Sequence, residues 1–188
     1  MKEIVMSQEE ILLATQKMGA EITSVLEKED NIPVCLVVMR GAMPFASDLL
    51  KSIKTNVFVD YIHVSSYEGT TTNGVIHLHF DVQTNVKGKT ILIIEDIVDT
   101  GYSMEYLIDH MKSLGAKKVL VATLFDKKVN RVVDVPIDFV GKVLDKNQFL
   151  VGYGLDYNGL HRNVPYVFIP TEEEVASWDK ELAERKRQ

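Results

Sequence analysis

The sequence predicts an α/β domain on a mostly parallel sheet, and three observations carry that prediction. Short apolar runs alternate along the chain with segments of helical period. Several runs are continuously apolar, as in strands covered on both faces. No repeat or low-complexity linker interrupts the 188 residues, so one domain is expected.

The elements follow in order. Ser7 with Glu10 has the form of a capping box, and Ile11, Leu12, Thr15, Met18, Gly19, Ile22 and Leu26 recur at helical spacing to about Lys28. Pro33 ends that helix, and Val34 to Met39 reads as a buried strand. Gly41 opens a turn into a second helix, with Pro44 in its first turn and Phe45, Leu49, Leu50 and Ile53 inward. Its apolar face is also a candidate interface.

Val57 to Val64 is strand-like, Ser65 to Gly74 is rich enough in breakers to predict a mobile loop, and Val75 to Val82 alternates as an exposed strand does. Ile91 to Ile94 forms the clearest central strand, and a helix follows to Leu114, closed by Gly115. Lys118 to Phe125, Ile137 to Val140 and Tyr166 to Ile169 are further strands. Thr171 with Glu174 caps a charged terminal helix.

Composition narrows the function. A net charge of −6 supplies no global positive field, so no nucleic-acid partner is expected and a phosphate must be held by local donors or a metal. Cys35, the one cysteine, lies in an apolar run and reads as a buried structural thiol of a reducing compartment. Met1 to Leu13 lacks the form of a signal peptide, and no apolar stretch is long enough to cross a bilayer. A cytoplasmic protein with no membrane partner is expected.

The most informative segment runs from Ile93 to Ser103. Glu95 and Asp96 finish an apolar strand, Asp99 follows, and Thr100-Gly101-Tyr102-Ser103 opens a helix. That turn offers backbone N–H groups, hydroxyls and a helix N-terminus to a terminal phosphate. Carboxylates suit the vicinal hydroxyls of a sugar, or Mg²⁺ held through water. Neither the Walker nor the Rossmann glycine pattern occurs.

This segment resembles the binding motif for phosphoribosyl pyrophosphate (PRPP) of the type I phosphoribosyltransferases. From Val34 to Ile169 the chain is similar to the hypoxanthine-guanine phosphoribosyltransferase family in particular. Met39-Arg40-Gly41-Ala42 resembles the loop that holds pyrophosphate, whose peptide can be cis. Ser66 and Tyr67 resemble the opening of the flexible loop over the reacting centre. Lys127 resembles the lysine that bonds the purine 6-oxo group. In Phe149-Leu150-Val151-Gly152-Tyr153-Gly154-Leu155-Asp156, Phe149 matches the ring that stacks on the base and Asp156 an acidic metal ligand. Arg162 falls where the family has an arginine near pyrophosphate.

The resemblance implies a type I phosphoribosyltransferase fold spanning 1–188, with a core over about 30–142 and a small hood from the terminal segments. It implies transfer of phosphoribosyl from PRPP to N9 of hypoxanthine or guanine, giving IMP or GMP, with Mg²⁺ as cofactor and a homodimer or homotetramer as the assembly. Arg40, Gly41, Glu95, Asp96, Asp99, Thr100, Gly101, Tyr102, Ser103 and Arg162 would hold PRPP, with Glu95, Asp96 and Asp156 near the metal. Asp99 would accept the N7 proton, or orient the base as an acceptor. Lys127, Phe149, Leu150 and Asp156 would hold the purine, the last two through backbone carbonyls near its 2-position.

Singly, each residue has a plainer reading: Arg40 as a surface cation, Lys127 as half of a solvated lysine pair, Phe149 as core. Their joint order favours the site. Transfer to xanthine or uracil, or a non-catalytic regulator that keeps the fold, are the competing functions. His77 and His79 share a strand face, but with no third ligand evident they read as solvent-facing rather than metal-binding.

Overall fold

The computed structural model describes residues 2–67 and 75–185. Ser7 Oγ accepts the Glu10 N–H at 3.2 Å and the Glu10 carboxylate accepts the Ser7 N–H at 2.7 Å, so the capping box starts α1 (Gln8–Leu26). Ile11, Thr15, Met18, Gly19, Ile22 and Leu26 are buried along one stripe. Leu12, one position round from it, stays 49% exposed, against expectation.

Six strands form the main sheet: β2 (Val34–Met39), β3 (Phe58–Tyr67), β4 (Val75–Phe80), β5 (Thr90–Val98), β6 (Lys118–Asp126) and β7 (Phe139–Val143), in the order β4-β3-β2-β5-β6-β7. All neighbours are parallel except the edge pair β3–β4. Cys35, Val37, Leu92 and Ile94 face a core shared with α1 and with Phe45 and Leu49 of α2 (Met43–Ser52). Leu36, Ile91 and Ile93 face the opposite core, with Leu107 and Met111 of α3 (Tyr102–Ser113). Burial on both faces explains the continuous apolar runs. It also raises the Cys35 thiol to about 12, leaving it unreactive.

Three expectations need correction. Ser65 to Tyr67 belong to β3, paired with His77, Ile76 and Val75, because cross-strand bonding overrides a loop-like composition. The rest of the expected loop, 68–74, lies outside the described residues. β7 begins at Phe139 rather than 137, set by its register with Ala122 and Thr123. The apolar face of α2 is turned into the core, so it cannot serve an interface.

One strand escaped the sequence altogether. β1 (Glu3–Met6) pairs antiparallel with β8 (Val167–Ile169), a two-stranded sheet too short to show a period. α4 (Glu172–Arg185) follows, capped as expected by Thr171 and Glu174. No helix among the described residues is long and apolar enough to cross a membrane.

α1 and α2 cross closely at Gly19, where a β-carbon would lie 2.8 Å from the Ser52 carbonyl carbon and 2.9 Å from its oxygen. Gly19→Val is therefore expected to lower stability by about 1–3 kcal/mol, the usual range for overpacking. Urea denaturation checks this, and an unchanged midpoint would contradict so tight a crossing.

Candidate active site

The carboxyl end of β5 and the start of α3 enclose a polar pocket of about 250 Å³, lined by Glu95 through Gly101 with Ser103 and Met104. Strand ends of parallel sheets are the ordinary place for ligands. β5 does not finish at the acidic pair: Ile97 and Val98 still pair with Phe125 and Asp126 of β6. Gly101 has φ of +96° and precedes the first turn of α3, leaving the N-terminal N–H groups uncapped by any side chain. Tyr102 does not line the pocket.

Glu95 and Asp96 are held by local backbone bonds. The Asp96 N–H donates to Glu95 Oε1 at 3.0 Å, and the Ile97 N–H donates to Asp96 Oδ1 at 2.7 Å. Burial, then the charge of Asp96, pushes the Glu95 carboxyl well above the usual range. Burial also raises Asp96, partly offset by hydrogen bonds from its neighbours and by Arg162.

Two glycines bring other segments against this pair. A β-carbon on Gly41 would overlap Asp96 Oδ2, and one on Gly154 would overlap the Gly41 carbonyl oxygen. The Met39–Arg40 peptide is cis. Arg40 lines a separate hollow with Met39, Tyr61, His63 and Phe80 and is not among the residues that line the acidic pocket.

Arg162 donates from Nη1 to the Gly154 carbonyl at 2.6 Å and pairs through Nη2 with Asp156 Oδ1 at 2.7 Å. Asp156 Oδ2 accepts the Gly159 N–H at 2.6 Å. These bonds occupy Asp156, and no group of three potential metal ligands occurs among the described residues.

Lys127 is buried to 7% exposure just after β6, and its Nζ lies 3.3 Å from Asp99 Oδ2. Asp99 Oδ1 is buried without a donor among the described residues. Phe149 is 54% exposed, so it is not core. Its ring meets Tyr157 edge-on at 6.1 Å. The Leu150 side chain is buried in the main core, leaving only its backbone for a ligand. Ser66 and Tyr67 are the last residues of β3. His79 Nε2 shares a hydrogen bond with Ser65 Oγ at 2.7 Å.

Sequence reasoning missed Arg131. Its Nε donates to the Asp99 carbonyl at 2.9 Å, and Nη2 contacts the Val98 carbonyl at 3.2 Å and Asp126 Oδ1 at 2.5 Å. The Val132 and Val133 N–H groups both donate to the Thr100 carbonyl. This segment braces the turn from behind. Its only trace in the sequence is a cation four residues after Lys127, a spacing without meaning in a loop.

Residues 7–158 match the family described as the phosphoribosyl transferase domain. A hypoxanthine-guanine phosphoribosyltransferase of Streptococcus agalactiae is 43% identical over 173 residues, covering 92% of this chain and 94% of that one. One from Streptococcus thermophilus is 42% identical over the same shares. A solved hypoxanthine phosphoribosyltransferase from Staphylococcus aureus is similar with a TM-score of 0.85 at 34% identity, covering 91% of this chain and 92% of that one. A solved hypoxanthine-guanine phosphoribosyltransferase from Bacillus anthracis also has a TM-score of 0.85, at 32% identity, with 91% and 99% covered.

The acidic pair has a consequence for stability. Glu95 is raised in the folded chain, so its neutral form stabilises the fold at low pH. That stability is lost as pH climbs from the ordinary Glu range through the folded value. Glu95→Gln is expected to raise Tm at pH 7 by about 2–4 °C, roughly 1 kcal/mol for this length, with no gain near pH 4. Calorimetry at both pH values checks it, and a lower Tm at pH 7 would contradict the burial of this charge.

Proposed function

The chain belongs to the phosphoribosyltransferase family, and from that premise we propose that it salvages purines by moving phosphoribosyl from PRPP to N9 of hypoxanthine or guanine. The observation that carries the reading is one pocket joining the acidic pair to a helix N-terminus, with Asp99 and Lys127 at its edge.

The 5-phosphate binds at the turn Thr100 to Ser103, where N–H groups and the helix dipole meet it. Glu95 and Asp96 accept hydrogen bonds from the ribose 2- and 3-hydroxyls, which fixes the anomeric carbon. That carbon loses its bond to pyrophosphate, which leaves with the electron pair, and forms its bond to N9 of the base. Backbone N–H groups around Gly41 and the Arg162 guanidinium receive the developing negative charge.

Asp99 Oδ1, a buried acceptor with no donor among the described residues, supports the role of taking the proton from N7. Lys127 donates to the 6-oxo group. An amino group there is itself a donor, its lone pair delocalised into the ring, so adenine is disfavoured. Phe149, exposed and held edge-on by Tyr157, offers its face to the purine.

Mg²⁺ fits this donor set. Glu95 and Asp96 are hard oxygen donors, and Arg162, the cation that acts on Asp96, is itself paired with Asp156. They would hold the ion through water, with Asp156 turned to Arg162 instead. When bound, the metal supplies charge neutralisation to the diphosphate.

The hood of this reading is the β1–β8 sheet with the segment from Phe149 to Arg162. A homodimer or homotetramer is supported by the outer face of the β3–β4 edge, where Val59, Tyr61 and Phe80 are 42–48% exposed. A cytoplasmic setting suits a chain whose one thiol needs no oxidation.

With PRPP and Mg²⁺, the enzyme should convert hypoxanthine and guanine and leave adenine untouched, followed by ultraviolet absorbance. Asp99→Asn should lower kcat by about 10²–10⁴-fold, the usual share of a general base. Its PRPP affinity should stay near that of wild type. Equal use of adenine would remove the role given to Lys127, and full activity of Asp99→Asn the role given to Asp99.

A further inference from the structure

The turn between Asp156 and Arg162 has a second partner that the proposed chemistry does not use. Trp178 is the one buried residue of α4 and the one tryptophan in the chain. Its ring lies against His161, tilted by 39° at 4.0 Å, contacts Tyr157 at 5.6 Å and meets Phe168 edge-on at 6.4 Å. Asp179, the next residue, accepts a hydrogen bond from the Tyr157 hydroxyl at 2.8 Å.

The turn is tight. Asn158 and Gly159, at φ of 49° and 88°, form its two-residue tip as an Asn-Gly pair favours, and His161 also has positive φ, at 70°. Tyr157 and Leu160 exchange backbone bonds across it, and on its inner side Asp156 and Arg162 pair. On its outer side the surface holding it is Trp178. From the same Tyr157 the ring contacts continue to Phe149.

We infer that Trp178 is a positioning residue: by clamping Tyr157 and His161 it sets the turn that presents Arg162 to pyrophosphate and supports Phe149 under the purine. The inference rests on the proposed function. Val175 packs beside Trp178 and Glu174 pairs with Lys2, while the rest of α4 is charged and mostly exposed, so its docking is a local equilibrium to which the Trp178 contact contributes. Ligand bound at Arg162 must then favour the docked helix, and docking must favour the ligand to the same degree.

Because Trp178 is the sole tryptophan, its fluorescence reads the clamp directly in the unaltered protein. Titration with Mg²⁺ and pyrophosphate, which do not absorb, should change the emission saturably. Trp178→Ala should raise the pyrophosphate Kd and the KM for PRPP about tenfold, the fold-change for one lost aromatic contact, with kcat changed less. Trp178→Phe should restore most of the affinity, and Asp179→Ala, at an exposed position, should shift KM in the same direction by a smaller factor.

Emission that does not respond to saturating pyrophosphate, or a folded Trp178→Ala with wild-type KM, would overturn the inference. If Trp178→Ala does not fold, the wild-type titration and Asp179→Ala decide it. A wild type that makes no nucleotide defeats the proposed function instead, and this inference with it.

Discussion

Everything at the site depends on three backbone segments meeting closer than side chains allow. Gly41, after β2, lies against the Asp96 carboxylate of β5, and Gly154 lies against the Gly41 carbonyl. A single methyl group at either glycine would overlap its neighbour. The contact locks the Arg40–Gly41 loop, the acidic strand and the Arg162–Asp156 turn into one frame. Each would otherwise move with its own element.

That frame works against the stability of the chain. It places two carboxylates side by side where burial penalises their charge, and both are raised for that reason. The sheet supplies the surplus, through apolar layers on both faces. Lys127 and Asp99 are arranged differently, as an opposite-charge pair 3.3 Å apart.

Much of this was legible in the sequence, because local patterns encode it. The capping box of α1, the buried strands and the turn at Gly101 depend on neighbours a few residues away. So does the run from Glu95 to Ser103. What escaped depends on distant partners. β1 has meaning only beside β8, where Glu3 pairs with Ile169, 166 residues later. Arg131 became a brace because β6 and β5 end side by side. The commitment of Asp156 to Arg162 is a fact of orientation that residue identity does not carry.

The central claim is that one nucleotide spans the pocket, with its phosphate on the turn and its base at Lys127. A crystal structure of the protein with GMP and Mg²⁺ tests it most directly. The account predicts the 5-phosphate within hydrogen-bonding distance of the Thr100 to Ser103 backbone, the ribose hydroxyls on Glu95 and Asp96, and O6 bonded to Lys127 Nζ. A nucleotide bound with its phosphate away from that turn, or its O6 away from Lys127, would contradict it.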